Sequence, residues 1–257
     1  MGEVANTLRE IWRNTSIEKN DTVLIHCNLT KFYRYFLKRK IKITDQDIID
    51  SLLSAVGTEG TLLFPTFNFT FTSGGIFDPF KTKSQMSGLS DYAISHKDSY
   101  RTLHPVYSFA IIGKNKNNFN KDNYSAYGKD SPFGMLKKNN AKILIVNLDD
   151  QKSMTYYHHV EEMLDVKYRF HKHFKCKIKN NEKIEDKKFS IFVRNIKDGI
   201  KTDVNRMGDK LQKLGLYKNF TFERNHFRLI NANDVFNETE KVILNKKEID
   251  YLYSVYR

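Results

Sequence analysis

The chain has 257 residues, 40% of them hydrophobic and 28% charged, with a formal net charge of +13. That length supports one sizeable α/β core. No stretch approaches the roughly 18 apolar residues of a membrane span, and Met1 to Asn14 lacks the apolar centre of a secretory signal. Two cysteines, Cys27 and Cys176, exclude a disulfide framework and point to free thiols in a reducing compartment, the cytoplasm.

The charge is uneven. Residues 1–165 carry 21 Lys/Arg against 18 Asp/Glu, a surplus of +3, and residues 166–257 carry 22 against 12, a surplus of +10. Such a field favours anionic partners, although a Lys- and Asn-rich source composition would give the same surplus. The basic residues are scattered and no nucleic-acid module is recognisable, which argues against a nucleic-acid partner.

In chain order, Thr22 to Asn28 reads as a strand. Thr44-x-x-Asp47 reads as a capping box opening a helix from Asp45 to Val56. Gly57 and Gly60 bracket a turn into a strand from Thr61 to Phe67. Asn68 to Lys83 reads as an aromatic loop that could lie over a site. Ser87 to His96 predicts a helix, and Tyr107 to Ile112 a strand. Ser131-Pro132 is an N-cap followed by proline at the first helical position, opening a short helix towards Lys138. Lys142 to Leu148 is an apolar strand leading into a further helix. After Arg169, Phe174 to Ile178 and Phe189 to Arg194 alternate like antiparallel strands, and Asp203 to Leu214 and Asp234 to Tyr253 predict helices. The alternation argues for a layered α/β sheet. Residues 1–169 form the expected α/β core with the motifs. Residues 170–257 form a smaller, basic α+β lobe packed on it within one continuous domain.

The chemistry concentrates in Thr155-Tyr156-Tyr157-His158-His159-Val160-Glu161-Glu162. Residues three apart on a helix share a face, so His158 pairs with Glu161 and His159 with Glu162. A histidine oriented by a carboxylate is a general base near neutral pH. Thr155, one turn earlier on the same face, could donate a hydrogen bond or simply start the helix. His171-x-His173-x-x-Cys176 offers no fourth metal ligand, and Lys172 and Lys175 would repel a cation, so no metal is expected.

Thr155-x-x-His158-x-x-Glu161 followed by Asp165-Val166-x-Tyr168-Arg169 resembles the signature of the aminoglycoside 3-N-acetyltransferase (antibiotic N-acetyltransferase) family. The resemblance runs along nearly the whole chain. It takes in His26-Cys27-Asn28-Leu29, Gly60-Thr61-Leu62-Leu63-Phe64-Pro65-Thr66, Phe77-Asp78-Pro79, His104-Pro105 with Ser108-Phe109, Ser131-Pro132-Phe133-Gly134 and Arg228-Leu229-Ile230-Asn231-Ala232. It implies an α/β/α layered fold of that type and transfer of an acetyl group from acetyl-CoA to an amine. His158 would be the base, Glu161 its partner and Thr155 a donor to the thioester. The loop His26, Cys27, Asn28 and Leu29, with Ser108, would contact coenzyme A, since backbone amides at strand-to-helix turns bind phosphates. Asn68, Asp78, His104 and Arg169 would contact the acceptor. Cys27 stands where the family usually has serine, and no basic partner activates it, so it reads as a core or loop thiol.

Charge separates two acceptors. Aminoglycosides carry several ammonium groups and need an acidic cleft, whereas this chain has few clustered acids, Asp149-Asp150 and Glu161-Glu162 among them. A phosphate-bearing amino sugar, such as one linked to a nucleoside diphosphate for surface polysaccharide synthesis, fits the basic second lobe better, with Arg169 expected on the pyrophosphate. A true aminoglycoside-modifying enzyme remains the alternative, and a homodimer is left open. The chain departs from the family at Cys27, Asn28, Ser87 and Met154, which bears on thioester contacts.

Overall fold

Strands form where Val, Ile and Leu runs fall between glycine or proline turns, and helices where the apolar period lengthens. The computed structural model describes residues 2–180, 182–245 and 249–256. In order these form α1 (Glu3–Asn14), β1 (Thr22–Cys27), α2 (Thr30–Lys38), α3 (Asp45–Val56), β2 (Thr61–Pro65), β3 (Ile76–Phe77), α4 (Gly88–Ser95), β4 (Tyr100–Arg101) and β5 (Phe109–Gly113). There follow α5 (Pro132–Lys138), β6 (Lys142–Val146), α6 (Asp150–Ser153), α7 (Tyr157–Met163), β7 (Arg169–Asn180), β8 (Lys183–Arg194) and β9 (Ile200–Thr202). The chain ends with α8 (Asn205–Lys213), β10 (Lys218–Phe222), β11 (Asn225–Asn231), α9 (Ala232–Leu244) and β12 (Tyr253–Val255).

Among the described residues, the central sheet runs β10-β11-β6-β1-β2-β5-β4. β1 lies parallel to both β2 and β6, while β11 joins β6 antiparallel. Successive side chains on a strand face opposite ways, and the core divides accordingly. Leu24, Leu63, Ile143 and Ile145 face one apolar cluster, with residues of α5, α7, α8 and α9. Val23, Ile25, Leu62 and Leu144 face the other, with α1, α2, α3 and α4. This is the layered α/β/α arrangement expected.

The capping box is present: the Thr44 hydroxyl accepts from the Asp47 amide, and the Asp47 carboxylate accepts from the Thr44 amide. Ser131 caps α5, with Pro132 at its first position. Most boundaries shift by one or two residues, and three differ by more from the sequence reading. β7 and β8 pair over their full length, Arg169 opposite Arg194 through Asn180 opposite Lys183, because their outer halves are too polar to show alternation. Asn231 caps α9 by accepting from the Asn233 amide, so that helix starts before Asp234. It stops at Leu244, and a short 3-10 turn at Ile249–Tyr251 leads to β12, so the helix does not reach Tyr253; residues 246–248 lie outside the described residues. In the basic C-terminal region, β10 pairs with β11, and β11 extends the central sheet at β6.

Candidate active site

The strand β6 delivers the chain to α6 and α7 at its carboxyl end. Tyr157 and Val160 bury into the core and fix α7 against it, which aims His158 and Glu161 the same way. His158 Nδ1 lies 2.7 Å from Glu161 Oε2. Glu161 is wholly buried and has two further partners: the Tyr168 hydroxyl donates to its Oε1 at 2.8 Å, and Arg169 Nε lies 2.8 Å from Oε2 as an ion pair rather than a directed hydrogen bond. Burial alone would raise the Glu161 pKa. The Arg169 charge and the bonds from His158 and Tyr168 overcome it and hold the carboxyl below its ordinary value. Nδ1 thus faces an acceptor, the Glu161 carboxylate, and a donor, the Arg169 guanidinium at 2.9 Å, and the cluster is made at Nδ1 rather than Nε2.

Burial, and then the charges of Arg169 and Arg194, lower the His158 pKa against the opposing pull of Glu161. The net effect favours the neutral imidazole. Its side chain is 17% exposed, which leaves it reachable from a cleft of about 760 Å³. Tyr107, Tyr127, Phe170, Lys172, Arg194 and Lys197 share that cleft with His158 and Arg169. The Tyr127 ring lies edge-on to His158 with centroids 5.4 Å apart. No Asp or Glu lines the cleft among the described residues.

The other expected site residues divide. Thr155 lies in the turn before α7 and not one turn inside it, because the helix begins only at Tyr157; the His158 amide donates to the Thr155 carbonyl. His159 is a structural residue, bonded to the Tyr127 carbonyl, and Glu162 accepts from the Ser125 hydroxyl. Arg169 is not free for a pyrophosphate. Its guanidinium is buried against Glu161, 2.9 Å from His158 Nδ1, and donates to the Phe192 carbonyl.

Ser108 is fully buried, and its hydroxyl donates to the Thr66 carbonyl and faces Arg101, so it ties strands together rather than meeting a cofactor. His104 is also fully buried. Its Nδ1 accepts from the Tyr107 amide, its Nε2 faces the Ser190 carbonyl, and burial pushes its pKa down to about 4. Asn68 caps a 3-10 turn, and Asp78 holds the amides of Phe80 and Lys81 and pairs with Lys179; neither lines the His158 cleft.

His26, Cys27, Asn28 and Leu29 do sit at a cavity. The latter three line a space of about 500 Å³ with Ser87 and Lys152, at the carboxyl end of β1 and the start of α2. His26 lies beneath it, with Nε2 buried and unpartnered, and burial lowers its pKa to about 3. Burial and the nearby Asp45 push the Cys27 thiol up to about 12, so it is no nucleophile. Thr30, Tyr33, Asp45, Met86 and Leu148 also line that space. His171 and His173 stack on β7, and no group of three or more His, Cys, Asp or Glu that could hold a metal occurs among the described residues. No helix among them is long and apolar enough to cross a membrane.

No curated protein sequence matches the chain. Solved structures do. The aminoglycoside acetyltransferase AAC(3)-Xa superposes with a TM-score of 0.78 at 17% identity, covering 92% of this chain and 91% of that one. The YokD protein from Bacillus subtilis gives 0.76 at 19%, covering 94% and 99%. AAC-IIIb, in a binary complex with CoASH, gives 0.78 at 16%, covering 92% and 94%. At such identities the likeness establishes the fold. The family itself rests on a match to the aminoglycoside 3-N-acetyltransferase model over residues 24–243, and the chain belongs to that family of acetyl-CoA-dependent acetyltransferases.

Proposed function

We propose that the protein transfers an acetyl group from acetyl-CoA to the amine of an anionic amino sugar, with His158 as general base. The buried His158–Glu161 pair opening on a 760 Å³ cleft carries this reading. In the proposed step the amine nitrogen attacks the thioester carbonyl while its proton passes to His158 Nε2. The new imidazolium is stabilised by Glu161, and coenzyme A thiolate leaves. The thioester is already activated, so no covalent enzyme intermediate is required. Thr155 is the candidate donor to the carbonyl oxygen, and the His26–Leu29 cavity the candidate coenzyme A site. Every group comes from one chain, so the mechanism needs no homodimer.

Lys172, Arg194 and Lys197 line the acceptor side and no carboxylate lies among them, which supports a phosphate-bearing acceptor over a polycation. The reading is a nucleotide-linked amino sugar acetylated in the cytoplasm for surface polysaccharide synthesis. Family membership favours a second reading, an aminoglycoside 3-N-acetyltransferase conferring resistance. Thiol release from acetyl-CoA, followed in parallel with both acceptor classes, separates them. Turnover with nucleotide-linked amino sugars is expected, falling about 10²–10⁴-fold in His158→Ala. Undiminished turnover in that variant would remove His158 as the base, and turnover only with aminoglycosides would establish the second reading.

A further inference from the structure

The mouth of the His158 cleft carries two features that proton transfer does not use. The first is exposed apolar surface. Phe170 on β7 is 49% exposed and Ile196, just after β8, is 71% exposed, both lining the cleft. The second is unneutralised charge. Arg169 is matched by Glu161, but Lys172, Arg194 and Lys197 have no carboxylate partner among the described residues. Phe170 and Lys172 are two apart on β7 and so share a face, opposite Val193 and Ile191 of β8. Arg194 ends β8 and Lys197 lies in the 3-10 turn that follows. Arg194 is near enough to the imidazole for its charge to oppose protonation of His158.

We propose that this mouth is a nucleoside-diphosphate subsite: Arg194, Lys172 and Lys197 hold the diphosphate and the Phe170 ring stacks on the base. The inference rests on the reading of the acceptor as an anionic amino sugar and adds the groups that recognise it. Three cations exceed what a single sugar carboxylate calls for and suit two linked phosphates. Arg194 offers a planar fork that takes phosphate oxygens in pairs, and Lys172 and Lys197 act as point charges. An aromatic face beside cations is the usual platform for a nucleobase. With the base outermost and the diphosphate on the cations, the sugar amine points inward past Tyr107 and Tyr127 to His158.

The test is calorimetric titration of the full chain with UDP and with GDP, at saturating coenzyme A so that the cosubstrate site is filled. Binding is expected for at least one, about 10–100-fold weaker in Arg194→Gln and about tenfold weaker in Phe170→Ala. In steady state, the same variants should raise KM for a nucleotide-linked acceptor and leave KM for acetyl-CoA alone. No binding by either nucleotide, or equal binding by the variants, would overturn the subsite even if amino-sugar acetylation is measured. A raised KM for acetyl-CoA would assign the cations to the cosubstrate and overturn it as well. Binding with the expected sensitivity, but no acetylation of any nucleotide-linked amino sugar, would uphold the subsite and remove the acceptor reading.

Discussion

Arg169 is the residue on which both His158, the proposed base, and Glu161 depend. It neutralises the buried Glu161 and opposes a positive charge on His158. Arg169→Gln therefore leaves Glu161 with less compensation, at a cost of about 3–5 kcal/mol. It also removes a charge that lowers the His158 pKa. The acid limb of the kcat profile, which reflects loss of the base by protonation, should move to higher pH in that variant, while Arg169→Lys keeps it nearer the wild-type position. A pH–rate profile of the two variants checks this, and an acid limb that stays put in Arg169→Gln would refute the charge argument. The pairing of His158 with Glu161 was legible in the sequence because a three-residue spacing within a helix is local. The role of Arg169 was not, since its contact with Glu161 spans the turn between α7 and β7. Ser108 and His104 stood out as motif residues, but nothing in a motif distinguishes a side chain that faces a ligand from one that locks two strands together.

At the scale of elements, Asp150 holds α7, the helix that carries His158, in place. It accepts from the hydroxyls of Tyr157 on α7 and Tyr217 beside β10, and pairs with Arg228 of β11 at 2.6 Å. A Cβ on Gly208 would come within 2.4 Å of Asp150 Cγ, so glycine there lets α8 close over the carboxylate. Asp150→Asn keeps the shape and removes the charge. It should cost about 2 kcal/mol, less than for a fully buried pair because the Arg228 side chain remains 21% exposed. Denaturant unfolding measures this, and an unchanged midpoint would show that the hydroxyls alone suffice. Helices with a local cap, such as α3 and α5, were legible to the residue. The hairpin β7–β8 was legible only in part, because its exposed half has no apolar face to alternate against. The cleft at its base could not be read, since Lys172, Arg194 and Lys197 converge through strand register and not through sequence spacing.

The whole molecule keeps several histidines neutral by burial: His26 at about 3, and His104 and His159 at about 4. Each lies below the roughly 6.5 of an exposed histidine. Above that value neither the folded nor the unfolded chain binds these protons. As pH falls below it, only the unfolded chain does, so stability drops between pH 6.5 and 4. Melting followed by calorimetry should show Tm declining over that window before most carboxylates titrate, and a level Tm from pH 7 to pH 5 would contradict it. The placement of β11 beside β6 has a separate bearing on how the protein is made. As the chain leaves the ribosome, β6 gains its first neighbour from residues already synthesised but waits some eighty residues for its second. Through that interval one flank of β6 carries unpaired amides and carbonyls, and Asp150 lacks its arginine. The helix that carries His158 thus gains its full set of supports only once β11 has been made.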